Sequence, residues 1–264
     1  IKLVLRHIAS ETESTTVTTL LRQLITTGNL YVHPGAREQT LTEIADGLIS
    51  LTDTAKPGSD NQLQFAKFVP QFARTTSQLN WLGGLLDGTK EISGLKVDQD
   101  LRWELLTGLV IGGAAGEKEI AKELASDNTA GGQKFAAACR AAIPNAEAKA
   151  EAWRVLTETE DYSNTLVNSA SLAFGRVNDL SLLEPYAKAY MDVALRIWNE
   201  RSYHIASYLL TNLYPIQLAN EGLKELTEKL IASAEVAEKP ALRRVLVENL
   251  AGLERGLKAQ LADA

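Results

Sequence analysis

An apolar stripe with the 3.6-residue period of an α-helix recurs along nearly the whole chain, and each stripe is closed by glycine, proline or a short polar turn. Val17, Leu20, Leu21, Leu24 and Ile25 form one stripe; Leu41, Ile44, Ala45, Leu48 and Ile49 form another, entered after Pro34 and capped near Thr40. Ser59 with Gln62 three residues on reads as a capping box, ahead of a segment that Pro70 kinks or ends. Stripes ending at Gly88, at Gly112-Gly113, at Asp127-Asn128-Thr129 and at Pro144 follow. Later ones run through Trp153 and Leu156, through Leu166 to Phe174, from Leu183 to Ile197, from His204 to Leu213, and from Leu223 to Leu230. Pro240 suits the first turn of a last helix that repeats Leu242, Leu246, Leu250, Leu253, Leu257 and Leu261, close to a heptad seam.

This pattern predicts about a dozen helices joined by short turns, with Gly88 to Asp100 as the longest loop. No strand pattern competes; the β-branched run Thr15 to Thr19 leads into a helical stripe and reads as a helix start. Short turns set neighbouring helices antiparallel. The expected fold is therefore all-α: one solenoid-like domain over residues 1–264, a curved HEAT- or armadillo-like array of antiparallel helix pairs with degenerate repeats. A compact helical bundle is the competing architecture.

Composition narrows the function classes. Hydrophobic residues make up 45% of the chain, ample for a full core. The net charge of -6 argues against nucleic-acid or anionic-membrane partners, which need a basic footprint. No apolar run approaches the roughly 20 residues of a bilayer span. A single cysteine, Cys139, excludes an internal disulfide and fits a cytoplasmic setting; its place in an alanine run suggests a small buried hydrophobe. The chain opens at Ile1 inside an apolar segment, which reads as a piece of something longer.

Catalytic motifs are missing. The three histidines, His7, His33 and His204, are far apart, so H-E-x-x-H and its relatives are absent, and so are C-x-x-C and G-x-S-x-G. The cluster Gly112-Gly113-Ala114-Ala115-Gly116 lacks the Lys-Ser/Thr pair of a phosphate loop and reads as a helix end before a new helix at Glu117. Carboxylates at Asp98, Asp100, Glu158, Glu160 and Asp161 flank helix ends, where they cap or face water. Trp81, Trp103, Trp153 and Trp198 lie in apolar stripes and read as core.

Several runs, in order, resemble the C-terminal region of actinobacterial-type aminopeptidase N, a zinc aminopeptidase family. They include Pro57-Gly58-Ser59-Asp60, Leu85-Leu86-Asp87-Gly88, Val97-Asp98-Gln99-Asp100-Leu101-Arg102-Trp103, Arg140-Ala141-Ala142-Ile143-Pro144, Lys149 with Ala152-Trp153, Leu183-Glu184-Pro185-Tyr186 and Leu213-Tyr214-Pro215. The resemblance implies a non-catalytic helical domain that covers the active site of a zinc aminopeptidase and forms its peptide chamber. Zinc and the catalytic residues would belong to the catalytic domain of the same parent chain, with no catalytic, cofactor or metal residue carried here. The partners it implies are that catalytic domain and a peptide substrate. The alternative is a free-standing helical-repeat scaffold that binds a protein or peptide.

Two arginines stand out. Arg102, between Asp98 and Trp103 at a helix start, is expected to make a structural ion pair or a turn-fixing hydrogen bond. Arg176, in Phe174-Gly175-Arg176, lies at a helix corner; a solvated role competes with one in which it meets a peptide carboxylate. It is the single candidate peptide-binding residue.

Overall fold

A computed structural model describes residues 1–264 as fifteen α-helices with no β-strand. Contacts divide them into two compact units, Ile1–Glu123 with Asp263–Ala264, and Leu124–Ala262.

The first unit contains α1 (Lys2–His7), α2 (Ser14–Thr26), α3 (Pro34–Thr54), α4 (Asp60–Phe68), α5 (Thr76–Asp87) and α6 (Gln99–Ile111). The unit boundary then falls within α7 (Glu117–Ser126). The stripes become the core: Val17, Leu21, Ile44, Leu48, Phe65, Leu82, Leu101 and Leu105 are all buried. Trp103 has no exposed surface. Helix α4 packs on α3, and α6 on α5.

Local chemistry sets the ends. Asp98 Oδ1 accepts from the Leu101 N–H at 2.9 Å and starts α6. Helix α4 stops before a 3₁₀ turn, Val69–Gln71, that contains Pro70. Gly88 ends α5 in the left-handed conformation at φ 80°. The following loop is pinned back at Gly94, also at φ 80°, where an added Cβ would lie 2.2 Å from the Gly58 nitrogen.

Two expected caps are corrected. Thr40 lies inside α3; the cap is His33, whose Nδ1 accepts from the Gly35 N–H at 3.3 Å, with Pro34 in the first turn. Ser59 caps α4, but Gln62 does not return to it. Its Oε1 accepts from the Gly58 N–H at 2.8 Å, and its Nε2 donates to Thr52 O and Ser93 O, tying α4 to α3 and to the long loop. The reciprocal capping box is Thr75 with Gln78, at the start of α5.

The second unit holds α8 (Ala130–Ala142), α9 (Ala146–Glu158), α10 (Asn164–Phe174), α11 (Glu184–Glu200), α12 (Tyr203–Asn212), α13 (Glu221–Ile231), α14 (Ala234–Ala237) and α15 (Pro240–Ala262). Helix α10 packs on both α8 and α12. The facing residues are small: Ala136, Cys139 and Ala142 on α8, and Ala170 and Ala173 on α10, are buried. Small side chains let two backbones approach closely, which places Cys139 in the core as the sequence suggests. Buried tyrosines tie the later helices together. Tyr190 Oη donates to Leu210 O at 2.6 Å, and Asn249 Nδ2 donates to the same carbonyl at 3.0 Å.

The seam of α15 is shorter than its leucine repeat. Leu242, Leu246 and Leu253 are buried, whereas Leu261 is 79% exposed and Gln260 takes the inward position. A helix at 3.6 residues per turn drifts away from a strict heptad, so the repeat leaves the buried face by its last member. The count exceeds a dozen partly because α1 and α14 span six and four residues, too short for a periodic stripe.

Candidate functional site

The helix corner that carries Arg176 is built around a buried lysine. Lys149 lies on the apolar face of α9, one turn before Trp153 and two before Leu156, and has no exposed surface. Its Nζ donates to Ala141 O at 2.6 Å and to Phe174 O at 2.7 Å. These carbonyls sit in the last turns of α8 and α10, where helix geometry leaves carbonyls without internal partners and where partial negative charge collects. One ammonium therefore ties three helices. It also lies 5.2 Å from the centre of the Phe174 ring.

Aromatic rings close the other side. Trp153, Phe174 and Tyr186 form a triangle with centroids 4.9 to 5.6 Å apart, the Phe174–Tyr186 edge being T-shaped. Burial pushes the Lys149 ammonium down to about 7, and the nearby Arg176 guanidinium pushes it the same way. Arg176 is half-buried just past the end of α10, its N–H donating to Ala173 O. Gly175 precedes it, and a Cβ there would meet Gln217 Nε2 at 2.8 Å. The corner thus brings two basic side chains together beside apolar rings. Sequence reading singled out Arg176 as a candidate and gave Lys149 no role; the available signal was a lysine on the apolar face of α9.

Arg102 makes both of its expected contacts. Its Nε and Nη2 donate to Glu123 Oε1 and Oε2 at 2.8 and 2.7 Å, a two-pronged pair. Nη1 donates to Leu86 O at 3.0 Å, fixing the last turn of α5. Gln99 Nε2 adds a bond to Glu123 Oε1 at 2.8 Å. This cluster joins α5, α6 and α7 and has the geometry of a structural brace.

His7, His33 and His204 are exposed on separate elements. No group of three or more His, Cys, Asp or Glu side chains converges so that it could hold a metal ion. No helix is long and apolar enough to cross a membrane. Trp81, Trp103 and Trp153 are core residues as expected, while Trp198 is half-buried against Tyr203.

Comparison with known proteins bears on which of these features matter. The model of the ERAP1-like C-terminal domain matches residues 1–255. The chain belongs to this family. It is also 37% identical to aminopeptidase N of Streptomyces lividans over 262 residues, 99% of the chain. It spans 30% of the length of that relative. The resemblance read from the sequence is thereby borne out, and so is the all-α class.

Proposed function

We propose that the chain is the non-catalytic C-terminal part of a cytoplasmic zinc aminopeptidase, a curved HEAT-like array that covers the active site and closes a peptide chamber. The match along 99% of the chain to part of an aminopeptidase N carries this reading. In it, residues 1–264 act as one module, the catalytic domain of the same polypeptide is the main partner, and zinc is held in that domain. Arg176 receives the carboxylate of a peptide. The support is its position just past the end of α10, close enough to Lys149 for its charge to act on that ammonium.

Holding the distal part of a peptide lets remote binding energy act at the reacting bond. Removal of residues 1–264 from the full-length protein should therefore lower kcat/KM for long peptides more than for single aminoacyl amides. An unchanged ratio in a folded truncated enzyme removes the chamber role. Arg176→Ala should weaken long peptides with a free carboxylate about tenfold and leave their amidated forms unchanged. Equal losses for both forms would remove the carboxylate contact.

A further inference from the structure

Helices α3 and α5 border a cleft of about 680 Å³ in the first unit, within the range of ligand sites. Asp46 and Asp53 line it from α3, two turns apart on one face and both exposed. Trp81 lines it from α5, and Lys90 is its one basic lining residue. Asp46 Oδ1 accepts from Gln78 Nε2 at 2.8 Å, which fixes this carboxylate and leaves its second oxygen for another donor.

Trp81 is 8% exposed, and its indole N–H makes no hydrogen bond. The indole face attracts cations more strongly than other aromatic rings do. The cleft thus combines two carboxylates with an indole. A lysine or arginine side chain of a peptide supplies the complementary set: a cationic head and an aliphatic stem.

We propose that the α3–α5 cleft binds a lysine or arginine side chain of a peptide, between Asp46 and Asp53 and against Trp81. The proposal rests on the peptide-binding reading above. It adds a preference for a basic residue in peptides that the chain holds.

The test measures binding of fluorescent peptides, blocked at the N-terminus, to the full-length protein. The peptides are identical except for one internal position occupied by lysine, norleucine or glutamate. The lysine peptide should bind about tenfold tighter than the norleucine peptide, as expected for two screened ion pairs and a cation–aromatic contact. In Asp46→Asn/Asp53→Asn that advantage should fall below about twofold. These exposed, isosteric changes keep the oxygen that Gln78 uses, and equal melting temperatures would confirm the fold. Asp53→Lys should reverse the order and favour glutamate. Retention of the full lysine advantage in the double variant overturns the proposal. Loss of norleucine-peptide binding in the unaltered protein would instead count against peptide binding as a whole.

Discussion

Arg102 in the first unit and Lys149 in the second are both drawn away from water, and they are satisfied in opposite ways. Arg102 in the first unit meets the carboxylate of Glu123, itself 7% exposed, and keeps 36% of its own side-chain surface in solvent. The hydrogen bonds to Glu123 hold its proton more tightly than usual. Lys149 in the second unit is wholly buried, bonds two backbone carbonyls and has Arg176 as a charged neighbour. A planar guanidinium with a matched carboxylate remains charged at any physiological pH. An ammonium held by carbonyl dipoles bears the cost of desolvation without a counter-charge, and it can lose its proton while still donating two hydrogen bonds. One contact is a fixed brace; the other responds to pH.

The largest effect expected from breaking this contrast is that of Lys149→Ala. It strands two helix-end carbonyls and empties the space of a buried four-carbon stem. About 3 kcal/mol should be lost, or roughly 9 °C in Tm for a chain of this size. Thermal unfolding checks it; a near-native Tm would show that water replaces the ammonium. Lys149→Met, which fills the stem's space, should recover part of the loss.

The pH response comes next. The ordinary lysine value, 10.5, applies to the unfolded chain, and about 7 to the folded one. Between them the unfolded chain binds more protons, so stability rises with pH across that window, by up to about 1.4 kcal/mol per unit, and levels off below it. Stability of the unaltered protein measured from pH 7 to 9 should rise relative to Lys149→Met. Parallel curves would mean that the folded lysine keeps its proton throughout.

In the first unit, Glu123→Ala removes the counter-charge and leaves Arg102 and Gln99 short of an acceptor. Because Arg102 reaches solvent, the loss should be about 1.5 kcal/mol, without a new slope between pH 7 and 9. Urea unfolding at two pH values would show both. A loss as large as that of Lys149→Ala would mean that burial is not what separates the two sites.

The sequence made one of these contacts legible and not the other, for a physical reason. Arg102 sits beside a visible helix start, so a role in fixing the turn followed from local spacing. Its carboxylate, 21 positions along the chain, did not. Lys149 was visible as a lysine in an alanine-rich helix and as one of the runs that carry the family resemblance, but the carbonyls that hold it come from two other helices. The same limit explains Gln62, whose position three residues after Ser59 suggested a local cap while its bonds run to Thr52 and Ser93. Helix stops at Pro70, Gly88 and Gly112 are local backbone chemistry and were legible. The α3–α5 cleft was not, since Asp46, Asp53 and Trp81 share no motif.

The smallest expected effect separates residue type from environment. Arg102→Lys retains the charge beside Glu123 but loses the two-pronged geometry and the bond to Leu86 O. A lysine reaches one acceptor at a time as a point charge, so the paired contact weakens without leaving Glu123 unpaired. With the side chain partly in solvent, the loss should be about 0.5 to 1 kcal/mol. The variant now places a lysine in each unit. A lysine beside a carboxylate has its charged form favoured, so it should keep its proton well above neutrality. The Arg102→Lys protein should then lie below the unaltered protein by the same amount at pH 7 and at pH 9. A difference that shrinks as pH rises would show that this lysine, too, is destabilised in its charged form. The contrast between brace and titrating contact would then belong to lysine itself, not to the missing counter-charge and deep burial at Lys149.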